Sequence, residues 1–152
     1  RPETKIMVTM RPRVLFYGVA SFVIVIDQFL KYAISAWNGS LSLRFLTIHP
    51  TQNTGAGFGL LQEYTLLLAL ISLIVAGAVI ILYRKIPHDK ISQTLWGLFL
   101  GGVVGNMLDR FLRGSVIDFI DFGFWPSFNV ADAAITVAVV ALVVYCWREE
   151  KK

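Results

Sequence analysis

The sequence predicts an all-α membrane protein: four transmembrane helices carrying a small extracytoplasmic β-cradle and a short outer loop or helix. Hydrophobic residues make up 56% of its 152 positions and charged ones only 16%, a balance too apolar for a soluble domain of this length. The apolar residues fall into four runs of near-spanning length. The basic residues gather in alternate connections, as they do in multi-pass proteins.

The first run, about 14–36, is preceded by Arg11 and Arg13 and interrupted by Asp27 and Lys31. It is long enough for the roughly 20 residues that cross a 30 Å hydrocarbon layer. Ala33-Ile34-Ser35 also offers small residues where a secretory signal would be cut. Against that alternative, a signal core has no use for an acid and a lysine four residues apart.

The connection that follows, about 41–59, shows partial period-two alternation from Leu41 to Ile48 and then Asn53-Thr54-Gly55-Ala56-Gly57-Phe58-Gly59. Two or three short strands with a glycine-rich turn are expected there. Further helices are expected over about 65–83, 94–112 and 130–147. The connection from Arg113 to Asn129 holds Gly123, Trp125 and Pro126, an interfacial composition. One membrane domain, 1–152, accounts for all of it.

Ten of the 14 Lys and Arg residues lie in the first tail (Arg1, Lys5, Arg11, Arg13), the middle loop (Arg84, Lys85, Lys90) and the last tail (Arg148, Lys151, Lys152). The positive-inside rule puts these segments, and both termini, in the cytoplasm. The net charge of +4 then records topology rather than a nucleic-acid surface, and the basic segments favour anionic membrane lipids. Asp27, Asp109, Asp118, Asp121 and Asp132 all fall toward the opposite, extracytoplasmic face.

Carboxylates at membrane depth cost several kcal/mol and are suspects for function. Asp27 and Lys31 share a helix face and read chiefly as a buried charge pair. Gly101 and Gly105 permit close helix approach, and Asn106, Asp109 and Arg110 are spaced to share a face. Asn129 and Asp132 have the spacing of a helix cap and capping box, which would explain both without chemistry. Asp118, between Ile117 and Phe119, has no such local explanation and needs a partner or a raised pKa. If Asp118 and Asp132 meet, they share a proton and activate water as an aspartic dyad does. Two separated histidines, His49 and His88, and one cysteine, Cys146, give neither a metal site nor a thiol or His-based nucleophile, and no cofactor is expected. A small proton-coupled transporter is the alternative reading, but it would keep such groups near the midplane and show repeated halves.

Five ordered blocks bring more: Asp27-Gln28-x-x-Lys31, Asn53-Thr54-Gly55-Ala56-Gly57-Phe58-Gly59, Gly105-Asn106-x-x-Asp109-Arg110, Val116-Ile117-Asp118-Phe119, and Phe128-Asn129-Val130-Ala131-Asp132. In these the chain resembles the lipoprotein signal peptidase family, the type II signal peptidases of bacterial membranes. The resemblance implies an aspartic endopeptidase of the inner membrane that acts on diacylglyceryl-modified prolipoproteins and cuts just before the lipidated cysteine; a monomer is expected. It implies Asp118 and Asp132 as the catalytic pair, and Asn53, Asn106, Arg110 and Asn129 as groups that hold substrate and dyad. Asp27, Lys31, Gly55 and Asp109 would support the site. Gly57 departs from the alanine frequent in the family, and Asp121 is read as a solvated loop charge outside the site.

Overall fold

The computed structural model describes residues 11–55 and 61–151. Arg1, Lys5, Lys152 and the Ala56–Gly59 part of the glycine-rich block lie outside the described residues. Four helices long and apolar enough to cross a membrane are present among them: α1 (Pro12–Trp37), α2 (Thr65–Ile81, prolonged by a 3-10 turn at Leu82–Lys85), α3 (Lys90–Arg113) and α4 (Val130–Glu149). Each begins or ends within a few residues of the hydropathy expectation.

The ends follow local chemistry. Pro12 opens α1, where its missing N–H is no loss, and Asn38 closes it in the left-handed conformation at φ 48°. The Asp89 side chain caps α3 by accepting the Ser92 N–H at 2.9 Å, and Gly114, at φ 71°, ends it.

Helix α3 is the axis of the bundle and packs against the other three. Its glycines make this possible. A Cβ on Gly101 would stand 2.7 Å from the Ala20 carbonyl oxygen, and one on Gly102 only 2.5 Å from that of Ala131. The core beneath is Phe16, Ala20, Ala76, Val79, Tyr83, Ile86, Leu100 and Val103, while Phe22, Ile74, Ile81 and Val143 point outward, the arrangement expected where the surroundings are lipid.

The cradle is a three-stranded antiparallel sheet in the order β1 (Leu41–Leu43), β2 (Leu46–Asn53), β3 (Val116–Asp121). Here the structure corrects the sequence reading. The 41–59 segment supplies two strands, and the third comes from the connection expected to be a loop or helix. Val116, Ile117, Asp118 and Phe119 are all buried, so this strand lacks the alternation that would have announced it. Between Ile48 and Thr51 the β2–β3 register shifts: Ile48 pairs with Ile120 but Thr51 with Asp118. Pro50, which has no N–H to offer a ladder, sits in this bulge.

Candidate active site

The polar residues of α1, α3, β3 and α4 converge at one end of the bundle. At the bottom lies Lys31, wholly buried, whose ammonium reaches Asp27 Oδ2 at 2.7 Å, Asp109 Oδ2 at 2.6 Å and Asn106 Oδ1 at 3.0 Å. Three donors thus meet three acceptors. Asp27 and Asp109 are also fully buried, and their charges are balanced by Lys31 and by Arg113, which binds Asp109 Oδ1. Such a cluster is stable only when every partner is in place.

Asp27 also receives the backbone N–H of Ala131 on Oδ1 at 2.9 Å. A carboxylate there occupies the positive end of α4 and ties α1 to it. Gly105 leaves room for this contact, since a Cβ would come within 2.9 Å of Asp27 Oδ2 and 3.2 Å of Ala131 Cβ.

Above this base sit Asp118 and Asp132, both lining one cavity of about 850 Å³. Asn129 joins them. Its Nδ2 donates to Asp118 Oδ1 at 2.7 Å, and its Oδ1 accepts the Asp132 N–H at 2.9 Å. The Asn129 N–H in turn donates to Asp132 Oδ2 at 3.2 Å, completing a capping box. Capping and site-building are therefore both present in the same two residues. Asn106 continues the chain, donating its Nδ2 to Asp132 Oδ1 at 2.7 Å while accepting from Lys31.

On the sheet side, Asn53 donates from Nδ2 to Asp118 Oδ2 at 2.9 Å and accepts the Gly55 N–H at 2.9 Å. Arg110 lines the cavity and donates to the Gly55 carbonyl at 3.2 Å; its buried Nε has no partner among the described residues. Burial pushes the Asp118 carboxyl up to about 6, against the pull of the Asn53 amide, with the nearby Asp132 charge raising it further and the Asn129 amide lowering it.

All ten residues singled out in the sequence are drawn into this network, but with two refinements. Arg110 lines the cavity and Asn106 bridges Lys31 and Asp132, whereas Asp109 turns toward Lys31, Gln28 and Arg113, so the expected single polar face of α3 is divided. Asp121 is no plain loop charge: it ends β3, accepts the Gly123 N–H at 2.7 Å and pairs with His49 at 3.3 Å. The Gly123 hydrogen bond, and then His49, hold its pKa below the usual value. It does not line the cavity.

Two members went unassigned in the sequence. Gln28 Nε2 bonds Asp109 Oδ1 at 3.0 Å and the Gly105 carbonyl at 3.1 Å, and its Oε1 accepts from Arg113 at 2.9 Å. The signal for Arg113 was its position four residues after Asp109, a helical neighbour.

The sequence model of the signal peptidase (SPase) II family matches residues 19–148, a stretch that includes every one of these residues. The chain belongs to the signal peptidase II family. Relatives named lipoprotein signal peptidase include those of Halothermothrix orenii, 34% identical with 90% of this chain and 98% of that protein covered, and Anoxybacillus flavithermus, 37% identical over 91% and 88%. The Moorella thermoacetica relative of the same name is 38% identical over 88% and 91%. Two solved bacterial membrane enzymes share the fold. One, determined by the in meso method at 2.3 Å resolution, is 28% identical with a TM-score of 0.82, covering 89% of this chain and 88% of the other. The second, at 1.9 Å, is 30% identical with a TM-score of 0.76 over 86% and 91%. The chain is thus a signal peptidase II-type protease with four apolar, membrane-length helices.

Proposed function

We propose that Asp118 and Asp132 are the catalytic pair of an aspartic endopeptidase that removes the signal peptide from diacylglyceryl-modified prolipoproteins, cutting before the lipidated cysteine. The observation that carries this reading is two carboxylates on one cavity, joined through a single asparagine, one of them pushed up to about 6 by burial. A pair of this kind holds one proton between its members. The ionised member takes a proton from water as that water attacks the scissile carbonyl, and the protonated member polarises the carbonyl oxygen. Proton return to the leaving amine completes cleavage without any covalent intermediate.

Asn53, Asn106 and Asn129 hold the carboxylates in place, and Arg110 offers its unpaired Nε to the substrate backbone. The cavity continues past Ile135 and Val137 on α4, the latter 57% exposed on the apolar surface, and past Phe124 and Trp125. A signal helix and a diacylglyceryl chain, both lipid-soluble, would enter from that side. The basic connections support a topology with both termini in the cytoplasm and the cavity at the extracytoplasmic face of a bacterial inner membrane, and the same reading takes the protein as a monomer. The relatives named lipoprotein signal peptidase support the substrate class.

The test is cleavage of a diacylglyceryl-modified lipobox peptide by the detergent-purified protein beside Asp118→Asn, Asp132→Asn and Asp121→Asn. Turnover is expected to vanish in the first two and persist in the third. Substantial activity in either of the first two overturns the dyad.

A further inference from the structure

A second cavity, of about 540 Å³, lies between α2, α3 and α4 at the opposite end of the bundle from the carboxylates. Its walls are apolar, with Val75, Ala78 and Leu82 on one side, Phe99 below and Leu142 opposite. Two polar side chains of this groove bear on what it could hold. Ser92 lines it, is 1% exposed, and has a buried Oγ without a hydrogen-bond partner among the described residues. A buried hydroxyl left unpaired is destabilising until an acceptor reaches it. Lys85, exposed at the mouth, lines the same cavity.

Depth and charge identify the occupant. From Val75 to Lys85 the α2 wall runs ten residues at about 1.5 Å each, roughly 15 Å, which is the hydrocarbon depth of one leaflet. Ser92, in the first turn of α3, stands at the interfacial end, where the ester carbonyls of a glycerolipid lie. Lys85 is the basic residue of the lining, and Asp89, which follows it in the α2–α3 connection, is occupied by the Ser92 N–H at 2.9 Å and the Tyr145 hydroxyl at 2.9 Å.

We propose that this groove binds one anionic phospholipid, its acyl chain between α2 and α4, its ester carbonyl accepting from the Ser92 hydroxyl, and its phosphate at Lys85. The site stands apart from the peptidase reading.

Native mass spectrometry of the delipidated, detergent-solubilised protein tests it, with phosphatidylglycerol and phosphatidylcholine of identical chains as probes. One phosphatidylglycerol is expected to bind about fivefold better than phosphatidylcholine, the preference one interfacial lysine confers. Lys85→Gln, a surface change that leaves the fold intact, is expected to erase that preference, and Arg84→Gln, outside the groove, to keep it. Ser92→Ala is expected to weaken both lipids, and Ala78→Trp to fill the groove and exclude them. Equal uptake of the two lipids by the unaltered protein overturns the proposal. So does a preference that survives Lys85→Gln, one lost equally in Arg84→Gln, or a protein dimer that Ala78→Trp abolishes while lipid has no effect on it.

Discussion

Asn129 donates to Asp118 across 2.7 Å, and this bond runs from the cap of a membrane helix to the middle of a surface strand. The same side chain begins α4 by accepting the Asp132 N–H at 2.9 Å. One residue therefore both starts the helix and ties Asp118 to it.

These two duties separate under substitution. Asn129→Ser keeps a capping oxygen and Asn129→Ala does not, so the serine protein is expected to be more stable by about 1 kcal/mol. Alanine has no donor, and the single, shorter hydroxyl of serine lacks the reach of the amide Nδ2 to Asp118 while it caps, so both are expected to lose turnover by roughly 10²-fold. Thermal midpoints and kcat measured on the same preparations decide the matter; a serine variant as active as the parent would reduce Asn129 to a cap.

Asp118 gives the stability a pH dependence of known sign. Its folded pKa, raised chiefly by burial to about 6, exceeds the unfolded value. Its contribution is fully present below about pH 4 and is lost as pH rises through 6, by up to roughly 3 kcal/mol. Asp118→Asn is expected to gain stability relative to the parent between pH 4 and 7. Denaturation midpoints of the two proteins that stay parallel over this range would rule that out.

Lys31→Met leaves Asp27 and Asp109 buried with one cation fewer. A loss of about 3–5 kcal/mol is expected. Adding Asp27→Asn should recover part of it, because the second change removes a stranded charge. A double variant no more stable than the single one would show that charge balance is not what Lys31 supplies.

Gly102 and Gly77 contrast cleanly. A methyl on Gly102 meets the Ala131 carbonyl oxygen at 2.5 Å and Ile135 Cγ1 at 2.7 Å, whereas one on Gly77 meets nothing within 4 Å. Gly102→Ala is expected to cost about 1–3 kcal/mol. Gly77→Ala, in the interior of α2, is expected to be neutral or stabilising by up to about 1 kcal/mol. Unfolding of both in the same detergent compares them directly.

The helices were legible in the sequence because a lipid surroundings demands only length and apolarity, and α1 to α4 supply both. The Asp27–Lys31 pair and the Asn129–Asp132 cap were legible because their partners lie three or four residues apart. Strand β3 was not: its four consecutive buried residues carry no period, and its partner β2 lies more than sixty residues earlier. For the same reason the Asn53–Asp118 bond could be expected only through family resemblance. Gln28 stood in the first block without a role because a lone glutamine on a membrane helix says nothing until Asp109 and Arg113 are folded against it.

The bulge at Pro50 has a last consequence. Side chains on a strand alternate between two faces, so Thr51 and Asn53 share the face that meets Asp118 only because β2 carries one residue more than β3 needs between Ile48 and Thr51. The site thus depends on parity. A β2 shortened by that single residue would keep its composition and apolar character, yet either Asn53 would face away from Asp118 or the Leu46–Ile48 half would turn over on β1. Odd and even, rather than polar and apolar, decide whether the strand can serve the carboxylate.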